Sequence, residues 1–538
     1  MTATGVLDDD VAATNREGTE TDANPEAPTS DATDDIGEPP RPLPPGLEPW
    51  EQRDRLLGWL VTLAVAVFAA LTRFWALGFP SGKNFDEVYY ATEAQELLRW
   101  GYEDNRGYLF IVHPPLGKWL IAATSAIWGD NSLGWRIAPA IAGTLAVVIM
   151  TRLARRMFRS TLFGAIAGLL LGLDGLTLVL SRTAILDIFL EFFVLAAFAA
   201  LVVDRDQVRA RLGRLAAAGA DLSTGVPTLG PRPWRLLAGV LFGLALGVKW
   251  SGLSFWLGLA LLSLVWDRGA LRAAGVRRSW RNMLRRSGLP AIGSLLLATL
   301  GAYLLTYTGW FTGQNGWYRQ WATTHSASTH LNLLGVRIPV WWGWVPPPIR
   351  SLGAYTLNAY RFHEQLDSGH TYESKPWGWL VDARPVDFYY DGDSHSCGAS
   401  ACSREILLLG TPLLWWAFVP MLIWLAWHWF TTRDWRAGAV WMAFAAGWLV
   451  WFQDLKRTMF FFYMAPLVPF LVLGLTLALG VMLGPAGASR RRRLWGIAGV
   501  AGYLGLVIAD FAFMWPVFTG GLLTYDEWHL RMWLQSWI

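Results

Sequence analysis

The chain has 538 residues, 53% of them hydrophobic and only 16% charged, with 34 tryptophans. That composition fits a polytopic membrane protein rather than a soluble globule. The formal net charge of +4 says little by itself because charge is segregated along the chain; no nucleic-acid partner is expected.

Residues 1–50 are rich in Asp, Glu, Thr, Ala and Pro and poor in aliphatics. They cannot bury enough apolar surface to offset ordering entropy, and they read as a disordered tail without the apolar core of a signal peptide. The rest, 51–538, reads as one membrane domain. A bilayer core needs roughly 20 apolar residues per helix, and runs of this kind recur, which argues against a barrel of short strands. Eleven spans are predicted, at 56–78, 135–157, 161–180, 184–203, 234–248, 252–266, 289–311, 405–430, 437–452, 459–483 and 495–518. Between the first two lies a polar, aromatic segment, 79–134. It holds an amphipathic stretch, 87–100, and a short semi-apolar one, 115–128, which carries Lys118 and reads as interfacial. A second large loop covers 312–404.

Arginine-rich loops set the topology. They run from Arg152 to Arg159, Arg205 to Arg214, Arg268 to Arg286, Arg433 to Arg436 and Arg490 to Arg493. With eleven spans all fall on the N-terminal side, which is therefore expected to be cytoplasmic. The segments 79–134 and 312–404, the turn 453–457 and the C-terminus fall outside.

The stretch "KNFDEVYY" places Asp86 and Glu87 at the outer end of the first span. Such acids could start a solvated loop or favour a helix N-terminus. Their neighbours argue for a site. "HPPLGKW" brings His113 and Lys118 to the same loop, and "RFHEQLDSGHTYESKPWGW" brings His363, Glu364 and His370 to the second. Charges near apolar spans usually face an interior or a polar pathway. Arg73, Arg136, Arg182, Asp187, Lys456 and Arg457 all fall near one outer plane. Together they suggest a cationic basin at headgroup depth beside an acidic pair. Arg or Lys can stabilise a departing lipid-linked phosphate, and a placed carboxylate can deprotonate an attacking hydroxyl. No phosphate loop, HExxH or dinucleotide fingerprint is present. His363, His370 and Glu364 are too loosely spaced for a metal, so neither a metal nor a cofactor is expected. Cys397 and Cys402 lie in an outer polar segment, where a short-loop disulfide is expected.

The motifs "FDEVYY", "HPPLGKWLI", "SRTAILDIF", "RFHEQLDSGHTYESKPW" and "RTMFFFYMAPLVPF", in this order, resemble the protein O-mannosyltransferases, from about residue 56 onward. The resemblance implies an all-α membrane protein of glycosyltransferase C-type architecture in the plasma membrane. It implies inverting transfer of mannose from polyprenyl-phosphate mannose to Ser or Thr hydroxyls of exported proteins, with the secretion translocon a candidate partner. Asp86 would be the base and Glu87 would orient the acceptor or share that role. Arg73 and Arg136 match positions the family relies on. Arg457 would meet the lipid phosphate, beside Lys456, and Arg182 and Asp187 would line the pocket. His113 and Lys118 would shape the loop or contact the lipid head. The loop 312–404 is too short for the β-trefoil of eukaryotic members, which resembles the bacterial, actinobacterial branch. The alternatives are a related transferase with a glycan or lipid acceptor, and a transporter of lipid-linked sugars.

Overall fold

The computed structural model describes Leu47 and residues 54–538, apart from 105–110, 224–227, 334–335, 394–395 and 486. The predicted tail therefore lies outside the described residues, save Leu47. The chain opens with helix α1 (Arg55–Phe74), followed by α2 (Glu87–Trp100), α3 (Leu116–Trp128), α4 (Ser132–Phe158), α5 (Thr161–Gly172), α6 (Gly175–Ser181), α7 (Asp187–Ala217), α8 (Pro233–Val248) and α9 (Gly252–Ala273). Among the described residues, six helices are long and apolar enough to cross a membrane: Arg55–Phe74, Ser132–Phe158, Ser279–Thr306, Pro412–Thr432, Phe461–Leu483 and Arg490–Thr519. A seventh appears if α5 and α6, bent by 64° at their junction, form one span. Each of the eleven predicted segments contains helix, with shifted ends.

Local chemistry accounts for the breaks. Asn131 caps α4, its side chain accepting from the amides of Leu133 and Gly134 at 3.1 Å. The α5–α6 bend is built around Asp174. Its carboxylate caps α6 through the Thr177 amide at 2.8 Å and takes the Trp415 indole N–H at 2.6 Å. Thr411 bridges the same break, donating to the Leu173 carbonyl and accepting from the Gly175 amide. A Cβ on Gly143 would fall 1.9 Å from Ser181 Oγ, so only glycine lets α4 and α6 approach this closely. Between such helices a membrane supplies little hydrophobic driving force, and close packing and interhelical hydrogen bonds carry the association.

The predicted span 405–430 begins later than expected. Cys402–Leu408 is strand β4, and the helix starts at Pro412. The run "EILLLG" is apolar enough for either state; β4 is fixed by its partners. It pairs antiparallel with β3 (Val386–Asp391) and with β5 (Leu522–Thr524). A separate hairpin joins β1 (Ser328–Leu333) to β2 (Val336–Trp341). These strands add to a mostly helical chain. A disulfide joins Cys397, in the β3–β4 connection, to Cys402, the first residue of β4.

Candidate active site

The two adjacent acids have different fates. Glu87 is fully buried at the start of α2. Its carboxylate accepts from Arg136 Nε at 2.8 Å and Nη2 at 2.7 Å, and from the amides of Asn84 at 2.9 Å and Ala184 at 2.7 Å. Arg136 also donates to the carbonyls of Leu77, Pro80 and Gly82, which engages all of its guanidinium donors. Glu87 and Arg136 therefore form a saturated clamp between α2, α4 and the α6–α7 link. Sequence reasoning expected Glu87 at the reaction and Arg136 at a phosphate; neither has a hydrogen-bonding group left for such a partner.

Asp86 is the residue before α2, yet its side chain makes no capping bond. It takes a hydrogen bond from Tyr90, one helical turn on, and lies within electrostatic reach of Lys249 and Asp187. Burial raises its carboxyl pKa to about 6, with Lys249 lowering it and Asp187 raising it. Phe85 just before it has φ +46°, a left-handed conformation that costs a bulky residue about 1–3 kcal/mol. Its ring is held in place by Phe388, stacked at 5.1 Å, and by Phe460, Phe462 and His370 at 5.7 to 5.9 Å. This aromatic clasp sets the direction of Asp86.

Lys249, in the three-residue link between α8 and α9, was not singled out from sequence. The signal was a lone lysine in "GVKWSG", between two apolar runs. Its Nζ donates to both Asp187 oxygens, at 3.0 and 2.7 Å, and sits 5.5 and 5.2 Å from the ring centres of Phe462 and Tyr463. Asp187 opens α7, where an acid also favours the helix dipole.

A histidine pair closes the other side, with His113 and His363 rings 5.0 Å apart. His363 Nε2 faces the Val112 carbonyl at 3.1 Å, so that nitrogen carries the proton and Nδ1 accepts from Arg457 Nη2 at 3.3 Å. His363 is accordingly neutral, with burial and then Arg457 lowering its pKa to about 4. His113 is held well below the usual histidine range by burial, then by Lys249 and His363. Arg457 keeps a buried Nε with no hydrogen-bond partner among the described residues, and lies 5.7 Å from the rings of both Trp451 and Tyr463.

The remaining predicted residues scatter. Lys118 is buried between Glu93, at 2.9 Å, and Glu103, and ties α3 to α2 and the loop after it. Burial lowers its pKa, but the two carboxylates outweigh that and leave it raised. Arg182 donates to the carbonyls of Thr72, Arg73 and Trp75, closing the end of α1. Arg73 is buried between helices, with Glu191 and Asp174 as its charge partners. Lys456 and Glu364 are exposed, and Glu364 bonds Tyr360 instead of a histidine. His370 is exposed but borders the Phe85 clasp.

The arrangement is a half-buried carboxyl, a lysine held by a second carboxylate and an arginine oriented by a neutral histidine. It can take a proton on one side and an anion on the other. Known proteins sharpen this. Residues 63–288 match the family described as dolichyl-phosphate-mannose-protein mannosyltransferase, and residues 352–537 match the C-terminal four-transmembrane region of protein O-mannosyltransferases. The polyprenol-phosphate-mannose–protein mannosyltransferase of Mycobacterium tuberculosis is 43% identical over 494 residues, 90% of this chain and 92% of that one. The protein of that name from Corynebacterium glutamicum is 36% identical over 517 residues, 92% and 96% of the two chains. The Saccharomyces cerevisiae Pmt1–Pmt2 protein O-mannosyltransferase complex, solved with its sugar donor, shares the fold with a TM-score of 0.69 at 15% identity, over 90% of this chain and 93% of that one. With its motifs, its fold and close relatives along nearly its whole length in agreement, the chain belongs to the dolichyl-phosphate-mannose-protein mannosyltransferase family.

Proposed function

We infer that the chain transfers mannose from polyprenyl-phosphate mannose to Ser or Thr hydroxyls of exported proteins. The acceptor oxygen attacks the anomeric carbon as the bond from that carbon to the phosphate oxygen breaks. The hydroxyl proton passes to Asp86, and the leaving group departs as polyprenyl phosphate. One displacement of this kind inverts the anomeric centre. Arg457 and Lys249 meet the charge that develops on the departing phosphate, where fixed cations act most strongly. His363 orients Arg457, and Asp187 holds Lys249. Glu87 and Arg136 position the acid loop from behind. The site opens at the outer face of the plasma membrane, with the arginine-rich loops and the N-terminus cytoplasmic.

The observation that carries this reading is Asp86 itself: a carboxyl that caps no helix, with a pKa of about 6, within reach of Lys249 and bonded to Tyr90, whose ring faces His113 of the His113–His363–Arg457 group. The test uses membranes holding the wild-type chain or Asp86→Asn, with labelled polyprenyl-phosphate mannose and a Thr-rich peptide. Label on the peptide with wild type and none with the variant is expected. Label on lipid alone would remove the protein acceptor.

A further inference from the structure

The first and the last of the long apolar helices leave a cleft between them. α1 and the helix Arg490–Thr519 both pack on α6. Between their ends, on the side of the bundle where α1 runs into the acid loop, lies an open cavity of about 390 Å³. Trp75 and Phe79 line it from the α1 side, Trp515 and Leu523 from the other, and Arg404 of β4 is the one charged residue among those that line it. The cavity is separate from the site around Asp86. Tyr389 meets Phe79 edge-on at 5.5 Å, whereas its neighbour Phe388 stacks on Phe85, so β3 stands between the two.

Arg404 is a cation without an anion. It is half-buried, its guanidinium carbon lies 4.3 Å from the Phe79 ring centre, and its buried Nε has no hydrogen-bond partner among the described residues. Asp391 stands opposite it in the β3–β4 ladder, yet that carboxylate accepts from the Asp393 amide at 3.0 Å and forms no ion pair with Arg404. A buried donor left unpaired is costly, and an incoming oxyanion removes that cost. The membrane side of the cavity is apolar. Leu71, one turn before Trp75, is 68% exposed, and Ile508, two turns before Trp515, is 45% exposed. Those faces give acyl chains a surface to lie on, which a soluble anion would not use. Trp75, itself 65% exposed, and Trp515 suit the level of lipid headgroups. No carboxylate lines the cavity to meet the ammonium of a zwitterionic head. A cation in a cleft between transmembrane helices suits an anionic one.

We propose that this cavity binds one anionic phospholipid, its phosphate on Arg404 and its acyl chains along α1 and the helix Arg490–Thr519. Its assignment to the outer leaflet rests on the topology proposed above; the binding itself does not. The test places the full chain in nanodiscs of phosphatidylcholine and phosphatidylglycerol in equal parts. Native mass spectrometry then counts the lipids that stay bound. Wild type should retain phosphatidylglycerol preferentially. Arg404→Gln should retain one phosphatidylglycerol fewer, its affinity for that lipid down about tenfold, the loss of one charged hydrogen bond. Its thermal midpoint in phosphatidylcholine alone should be unchanged. Arg404→Lys, which keeps the charge, should hold the lipid with intermediate affinity. Equal retention of both lipids by wild type, an undiminished count in Arg404→Gln, or an Arg404→Lys protein that loses the lipid as fully as Arg404→Gln overturns the proposal. Displacement of the bound lipid by an equal amount of polyprenyl phosphate would assign the cavity to the carrier lipid and overturn the phospholipid reading.

Discussion

Asp86 and Glu87 stand side by side in the chain, yet one belongs to a closed region and the other to an open one. Around Glu87 the donors and acceptors are matched: two arginine nitrogens and two amides meet one carboxylate, and the arginine's other donors meet carbonyls. Around Asp86 the matching is looser: its side chain caps nothing and accepts from Tyr90, and elsewhere in the site the Arg457 Nε has no hydrogen-bond partner among the described residues. A saturated group holds shape, whereas an unsaturated one can change partners during a reaction. Residue type alone does not separate the two roles; the count of hydrogen-bond partners does.

The largest effect should come from Asp86→Asn. It should lower peptide mannosylation by about 10²–10⁴-fold, the usual contribution of a positioned base, with the unfolding midpoint unmoved. An active variant would break the contrast between the two acids. Glu87→Gln should do the reverse, removing about 3–5 kcal/mol of stability by leaving Arg136 buried and unpaired. Unfolding in detergent reads this, and Glu87→Gln/Arg136→Met should recover part of the loss in a double-mutant cycle. A stable but inactive Glu87→Gln protein would move Glu87 into the chemistry. Arg457→Met should raise KM for the lipid-linked donor by about ten- to a hundredfold, the loss of one charged hydrogen bond. The exposed neighbour change Lys456→Met should leave it alone.

The smallest effect, and the sharpest, is on pH. Asp86 must be ionised to accept a proton, so kcat/KM should climb tenfold per pH unit below about 6 and level off above. Lys249 favours the charged carboxylate and Asp187 disfavours it. Lys249→Met should therefore move the midpoint up. Asp187→Asn should move it down, because it removes a like charge and releases Lys249 towards Asp86. Midpoints that move together would refute the electrostatics.

Much of this was legible in the sequence. Long apolar runs marked the helices, and five ordered motifs marked the family. The side chains Asp86, Asp187, His113, His363 and Arg457 of the proposed site were each picked out as ionisable groups on one side of the spans. What stayed hidden depends on contacts between distant segments. Arg136 looks available from its position near a helix end, but its partners lie some 50 residues upstream, in the loop after α1 and in α2. Lys249 is a single charge between two apolar runs, and its importance appears only when α7 brings Asp187 to it. β4 hid inside an apolar run that would also suit a helix, because pairing decides the matter: Glu405–Leu408 ladders with β3 and Cys402–Arg404 with the distant β5.

The Lys249–Asp187 pair has one more consequence. With both histidines neutral, ionised Asp86 and Asp187 balance Lys249 and Arg457, so these groups together carry no net charge. A sugar carrier brings its own negative charge into that balance. By Coulomb's law it must strengthen the grip of Asp86 on a proton. On the proposed reaction, the donor-loaded enzyme therefore holds a stronger base than the free one, and the carrier itself readies the carboxylate for the hydroxyl that follows.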